Sequence, residues 1–379
     1  MRKSTLPFSI MAFLLLLYLS ILTFPAAAQG RTSEAIVSDQ AAFRLVRVLE
    51  GLKNPWAMAF LPDGGILITE RPGQLKLWRD GRLSAVRGLP DIYASGQGGL
   101  LDIAVHPDFG ENRLIYFTYS ASGPGGSGTA LYRARLDGNE LRDGEELYRL
   151  PRFTGTRVHF GSRIVFAPDG TLYMSIGDRG DRTRAQQIDD SAGSTLRFND
   201  DGSIPDDNPL AGRVGALPEI YSYGHRNAQG MAVHPQTGRI WQHEHGPRGG
   251  DEVNILKPGA NYGWPAVTFG EEYRGGSIGT GTAAPGIEPP LLHWTPSIAP
   301  SGMSFYTGNL FPEWRGNLFV GALAGKHLRR IELDGERAVS QEVLLKDRIG
   351  RIRDVRQGPD GFLYLLTDAA DGSLYRLEP

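Results

Sequence analysis

The chain of 379 residues contains no cysteine. That removes disulfide staples, thiolate zinc sites, iron–sulfur clusters and a cysteine nucleophile in one stroke. Positive charge is not in excess either: the formal net charge is −2. A broad electrostatic footprint for nucleic acid is therefore excluded. Long apolar runs occur only at the start. Arg2 and Lys3 precede an apolar stretch from Ile10 to Phe24, and Ala26-Ala27-Ala28 follows as a small-residue cleavage site. This is the pattern of a secretory leader, with cutting expected after Ala28 and a periplasmic or secreted destination. Its apolar core is short for a spanning helix, and no later segment reads as one. Loss of 28 residues leaves 351, and loss of Arg2 and Lys3 moves the net charge to −4. Such a length can bury a sizeable core without disulfides. Sustained helical periodicity is also missing.

Turn-formers are abundant instead, with 50 glycines and 25 prolines. With alternating apolar residues they predict an all-β chain. Aligning the turns exposes a repeat: an apolar strand, a Pro-Asp-Gly-like turn, then a second strand. Copies begin at Met58, Asp102, Ile164, Met231, Met303 and Val355. Six such units, each unable to bury both faces of its own sheet, predict a six-bladed β-propeller. Residues 29–379 are expected to form this one domain. Phe43–Val48 is expected to pair beside the C-terminal strand and close the ring, leaving no free edge there. Further strands are expected at Leu131–Ala134, Leu328–Ile331 and Leu374–Leu377, on the outside of their copies. Residues 179–215 and 266–300 are insertions between copies, expected on the binding face. The acidic turns Asp200–Gly202 and Pro205–Pro209 within them suit solvated loop better than calcium.

Polar side chains concentrate between residues 221 and 265. His225-Arg226-Asn227, His243–Pro247, Gly249–Glu252 and Asn261–Pro265 are each bracketed by glycine or proline. These are loops at strand ends, where a rigid scaffold presents its chemistry. Carboxylates, a phenol and exposed carbonyls together suit a hard cation such as calcium. Gln97, His159, Arg226, Trp294 and Arg351 all precede inner strands, so one end of the axis should gather them. Asp178 ends the strand after His159 and can return toward it, fixing its tautomer and leaving the other nitrogen as a base. Arg351 and Arg353 share a strand face and suit a ligand bearing carboxylates.

The motifs GQGGLLDIAVHPDF, HFGSRIVFAPDG, SIGDRG, YGHRNAQG, HEHGPRGGDEVN, NYGWP, WTPSIAPSG and GRIRDVRQGPDG, in this order, resemble the soluble PQQ-dependent aldose sugar dehydrogenases of the glucose/sorbosone dehydrogenase family. The resemblance runs over essentially the whole mature chain. It implies a six-bladed propeller with pyrroloquinoline quinone (PQQ) over the axis, held with calcium. It further implies broad oxidation of aldoses to lactones. His159 would take the proton of the anomeric hydroxyl with Asp178 beside it, and hydride would pass to the quinone. Arg226 and Asn227 would bond the quinone oxygens. Gln97, Tyr273, Trp294, Arg351 and Arg353 match cofactor-contacting positions. The family's cofactor-contacting lysine follows an Ala-Leu pair; here Ala322-Leu323 precedes Ala324, and Lys326 is the candidate two residues on. The carbonyls of Gly246 and Pro247 would hold the calcium at PQQ, and Glu252 and Tyr262 a structural calcium. The glucose-specific branch carries glutamine where His245 stands, and its dimer loops are not recognisable, so a monomer is expected. The partners would be an aldose and an unidentified electron acceptor. Two other readings are a calcium-dependent lactonase or esterase and a non-catalytic sugar-binding propeller. The first predicts a carboxylate cage at the axis; arginines, histidines and a glutamine stand there instead.

Overall fold

Each Pro-Asp-Gly turn of the sequence closes a hairpin in the same way. In Leu61–Gly65 the Gly64 amide donates to the Leu61 carbonyl and the Leu61 amide to the Gly65 carbonyl. The Asp63 carboxylate accepts from the Gly65 amide at 3.0 Å. Gly64 has φ +85°, a left-handed conformation that an L side chain disfavours. Ala167–Thr171 and Gly358–Phe362 repeat the arrangement, with Gly170 at φ +84° and Gly361 at φ +83°. Local chemistry thus sets the register of each hairpin.

These hairpins belong to six antiparallel sheets in a computed structural model that describes Met1 and residues 35–379. The expected leader, its cleavage site and residues 29–34 lie outside the described residues. Ala35–Pro379 form one compact unit. Blade 1 runs outward through Pro55–Phe60, Ile66–Glu70, Gln74–Arg79 and Arg82–Val86. Blades 2 to 6 begin with the inner strands Leu100–Val105, Ile164–Phe166, Ala228–Val233, Pro300–Phe305 and Ile352–Gln357. Each inner strand touches the next, and the last touches the first, so the ring closes. The closure is a two-ended clasp. Ala42–Leu52 pairs with Gly372–Glu378 in blade 6, from Arg44 opposite Glu378 to Leu52 opposite Gly372. The short strand Ile36–Val37 adds outside it.

The second strands Ile66–Glu70, Leu172–Ile176, Leu318–Ala322 and Leu363–Thr367 are buried throughout, because a neighbouring blade covers each face. Aromatic pairs wedge the blades together. Phe60 meets Tyr364 at 5.0 Å, Tyr116 meets Phe166 at 5.0 Å, and Trp241 meets Phe305 at 5.3 Å. Such pairs contribute roughly 0.5–1.5 kcal/mol each beyond the area they bury.

Two details differ from expectation. The strands at Leu131, Leu328 and Leu374 are third from the axis, and a fourth strand lies outside each. The insertions lie mainly inside blades 3 and 4; of the second, only residues 295–299 join blade 4 to blade 5. Residues 179–193 join the second and third strands of blade 3, at the end where the inner strands begin. Residues 199–219 join its third and fourth strands, so antiparallel alternation carries them to the opposite end. There Asp200 lies 3.4 Å from His106, and Asp207 pairs with Arg197 at 2.7 Å. Their carboxylates serve turns and ion pairs.

Candidate active site

The loops that enter inner strands all open at one end of the axis. They surround a cavity of about 320 Å3. Gln97, Asn227, Leu323, Arg351 and Arg353 line it, together with Trp56, Arg71, Gln229, His245 and Asp368.

His159 stands at the edge of this mouth with φ +54°. Its Nδ1 is 2.6 Å from Asp178 Oδ1. Its amide donates to Gln97 Oε1 at 2.8 Å. Nε2 makes no hydrogen bond to the described residues. Asp178 also accepts from the Gly180 amide and from Trp264 Nε1, each at 2.8 Å. Burial alone would raise the Asp178 carboxyl, but His159 and these donors hold it below the usual carboxylate value. The loop bearing His159 is gripped from below by Arg179. Its guanidinium donates to the carbonyls of Val158 and Thr156, and its Cζ lies 3.6 Å from the Phe160 ring centroid. Burial pushes the Arg179 guanidinium down to about 10. A carboxylate-oriented imidazole with a free nitrogen facing a cleft can accept a proton.

Arg226 donates to the carbonyls of His245, at 3.1 Å, and Gly246, at 2.9 Å, and to Tyr273 Oη at 3.2 Å. Its Cζ sits 5.3 Å from the Trp264 ring. Asn227 Oδ1 accepts from the Gly161 amide at 3.1 Å, tying blade 4 to the His159 loop. On the far wall Arg351 grips Asp368 through Nε at 2.9 Å and Nη2 at 2.8 Å. Arg353 reaches the same carboxylate at 3.2 Å and Gln229 Oε1 at 3.2 Å. Burial works against ionised Asp368, yet Arg353 and Arg351 hold its pKa low. Arg353 Nε is buried and has no hydrogen-bond partner among the described residues. Three arginines against one aspartate give the cavity a surplus of positive charge suited to an anionic ligand.

A smaller cavity lies behind Arg226, lined by Glu244, His245, Gly246, Glu252 and Tyr262. Glu252 is buried and receives only a long 3.4 Å contact from Asn254. Burial, with Glu244 and Asp251 nearby, pushes its carboxyl well above the usual value. The Tyr262 hydroxyl is already engaged, donating to the Ile255 carbonyl at 2.8 Å. Among the described residues no three His, Asp or Glu side chains cluster as a metal site.

Five expected cofactor contacts, Arg226, Tyr273, Trp294, Ala322 and Lys326, do not line the axial cavity. Arg226 lines the smaller one, and Tyr273 is exposed. Trp294 lies in the outermost strand of blade 4, Leu292–Trp294. Its indole donates to Gln341 of blade 5 at 2.8 Å, packing between blades. The strand entering blade 5 begins six residues later, at Pro300, which is why sequence order misplaced it. Lys326 is exposed and is not among the cavity-lining residues. Ala322 is buried at the end of its strand, and only its neighbour Leu323 reaches the cavity. Conversely, sequence reasoning passed over Trp56, Arg71, Gln229 and Asp368, and placed His245, Asp251 and Trp264 in the polar loops without giving them a role in the site. Gln229 had a signal, because strand alternation puts it on the side of Asn227. Asp251 receives the amides of Gly246, Ile298 and Ala299, joining the Gly246 turn to the cavity wall. Asp368 had no signal: it meets Arg351 only because two strands pair.

The fold and site define a six-bladed propeller with an arginine-lined axial cavity and a histidine–aspartate pair at its edge. A model of the family "Glucose / Sorbosone dehydrogenase" matches residues 52–376, and the chain belongs to that family. Aldose sugar dehydrogenase YliI of Escherichia coli is 44% identical over 355 residues, covering 92% of this chain and 96% of the relative. Quinoprotein glucose dehydrogenase B of Acinetobacter calcoaceticus is 30% identical over 410 residues, covering 85% of each. Among solved structures, the apo-form of the E. coli soluble aldose sugar dehydrogenase superposes with a TM-score of 0.87 at 43% identity, covering 89% of this chain and 99% of that one. The PQQ-bound aldose sugar dehydrogenase of Streptomyces coelicolor superposes with a TM-score of 0.73 at 30% identity, covering 89% and 98%.

Proposed function

We propose that this protein oxidises aldose sugars at the anomeric carbon to the lactone, with PQQ as cofactor, calcium beside it and His159 as general base. The coarse assignment, sugar oxidation by a PQQ-type propeller enzyme, stands on family membership and on relatives 30–44% identical over most of both chains. The single observation that carries the finer reading is the His159–Asp178 pair at 2.6 Å on the rim of a cavity walled by arginines.

The residues fit the cofactor. Arg353 Nε is a buried donor without a partner among the described residues, and Arg71, Arg351 and Arg353 supply charge for carboxylates. They fit calcium as well. At the cofactor the carbonyls of Gly246, which also accepts from Arg226, and Pro247 would hold it; at a second, structural site Glu252, a buried carboxylate with one long donor contact, would hold it with Tyr262. When bound, PQQ polarised by calcium supplies the acceptor for the two electrons leaving the sugar. The chain's own part is positioning and proton handling. Asp178 holds the Nδ1–H of His159, so Nε2 presents its lone pair to the anomeric hydroxyl and takes its proton. Arg226 and Asn227 stand between the His159 loop and the Gly246 turn, where they would hydrogen-bond the bound cofactor and favour negative charge on it. Trp264 caps Asp178 and keeps water from its outer oxygen.

We further propose export to the periplasm or medium, from the pattern over residues 1–28, and a monomeric state served by a separate electron acceptor. Among the described residues no helix is long and apolar enough to cross a membrane. The lactonase reading needs a carboxylate cage; the axial cavity has one carboxylate, Asp368, already held by two arginines. The test is reconstitution with PQQ and calcium, then dye reduction with a panel of aldoses. Activity is expected with several sugars. His159→Ala should lower turnover by about 10²–10⁴-fold while PQQ still binds. No activity with any aldose, or full activity in His159→Ala, would falsify the assignment.

A further inference from the structure

Next to the cavity one buried side chain joins groups from several blades. Arg163, at the entry to blade 3, is 1% exposed. Its Nη1 lies 3.1 Å from Asp102 of blade 2 and 2.8 Å from Asp354 of blade 6. Its Nε donates to the Gln229 carbonyl of blade 4 at 2.6 Å, and Nη2 to the Arg353 carbonyl at 3.2 Å. The flat of the guanidinium faces blade 1, with Cζ 4.2 Å from the Trp56 ring centroid. One group therefore ties together five blades.

A purely structural clamp would need less. Asp102 and Asp354 are already met from below by Arg356, at 2.8 and 3.2 Å. They also accept the amides of Ile164, at 2.8 Å, and Met58, at 3.1 Å. What Arg163 adds is contact with the cavity floor. Trp56, Gln229 and Arg353, three of the groups it touches, are cavity walls, while Arg163 itself is not.

We propose that Arg163 is a positioning residue for the ligand of the axial cavity. It fixes the plane of the Trp56 ring, and through their main chains it places Gln229 and Arg353 where a flat polyanion must meet them. The inference rests on the PQQ reading above and deepens it. An indole held only by apolar packing can rock, whereas a desolvated guanidinium stacked on its face pins it. A planar fork that bonds three oxygens and pairs with a fourth while stacking is available to arginine and not to lysine, which is a point charge.

The test uses the whole protein with excess calcium and measures PQQ affinity by equilibrium dialysis. The induced circular dichroism of bound PQQ is recorded in parallel. PQQ has no chirality of its own, so that signal reports how the site holds it. Arg163→Lys keeps a buried positive charge between Asp102 and Asp354. It is expected to raise the PQQ Kd at least tenfold and to change the induced signal, with a lowered thermal midpoint because the Gln229 and Arg353 carbonyls lose their donor. Trp56→Leu, which leaves the charge network intact, should act in the same direction. Trp56→Phe, which restores a flat ring, should recover most of the affinity. Folded Arg163→Lys and Trp56→Leu proteins with Kd within twofold of wild type and unchanged dichroism overturn the proposal and leave Arg163 a clamp only. Should Arg163→Lys fail to fold, the two Trp56 variants decide. A wild-type chain that takes up no PQQ overturns the functional reading and this inference with it.

Discussion

His159 is left-handed, with φ +54°, and so are Arg179 at φ +58° and Ala299 at φ +49°. Non-glycine residues held this way cost of order 1–3 kcal/mol each and persist where the surroundings enforce them. Here the enforcement is visible, since Arg179 and Gln97 grip the His159 loop from two sides. Asp178 then sets the imidazole. Its folded pKa lies below the ordinary 3.8. Its stabilising contribution is therefore present above 3.8 and is lost as the pH falls through the lower folded value. Asp178→Asn should cut turnover about 10²-fold or more. It should also lower the thermal midpoint at neutral pH, by an amount that shrinks as the pH drops below 3.8; midpoints recorded across pH check this. Glu252 is the opposite case, a carboxylate whose buried charge is poorly matched by protein donors alone. Glu252→Gln should keep or raise the midpoint of calcium-free protein and abolish the rise on adding calcium. In wild type that rise should correspond to about 2.7 kcal/mol at calcium one hundred times its Kd.

At the scale of elements, the site depends on strand ends that approach too closely for ordinary side chains. A Cβ on Gly177 would stand 2.3 Å from the His159 carbonyl and 2.9 Å from Asn227 Oδ1. Gly177→Ala must therefore push the His159 loop away from the strand that delivers Asp178. We expect a stability loss of about 1–3 kcal/mol and a fall in kcat larger than the change in PQQ affinity, read by denaturant titration and steady-state kinetics. Gly177 carried no sign of this in sequence, where it reads as one more turn residue. The Pro-Asp-Gly hairpins were legible because their hydrogen bonds are made within five residues. Trp294 was misread because sequence order cannot tell an outermost strand from the loop that follows it.

The whole molecule is held by a clasp and by wedges between blades. Phe43, on the strand that closes blade 6, is 1% exposed and meets Trp314 of blade 5 edge-on at 5.5 Å. Phe43→Ala should cost about 3–5 kcal/mol of unfolding free energy, leaving the KM for sugar near wild type because the clasp lies on the outer side of the sheet. Urea unfolding with kinetics on the folded protein tests both halves. The same closure makes the axial cavity possible. Six inner strands starting at one end bring Gln97, His159, Arg226 and Arg351 within one mouth, although 254 positions separate the first from the last.

The sequence by itself determined the repeat, the turns, the all-β class and the loops that enter inner strands, since each is written in spacing and local hydrogen bonding. It also carried most of the candidate site, because His159, Arg226 and Arg351 sit at the same phase of their repeats. Tertiary structure decided what phase cannot. Asp368 meets Arg351 by strand pairing, Trp264 caps Asp178 by a loop that climbs from blade 4, and Arg163 of blade 3 reaches four other blades. These contacts depend on how sheets pack around a closed ring, and no periodicity along the chain encodes the distance across it.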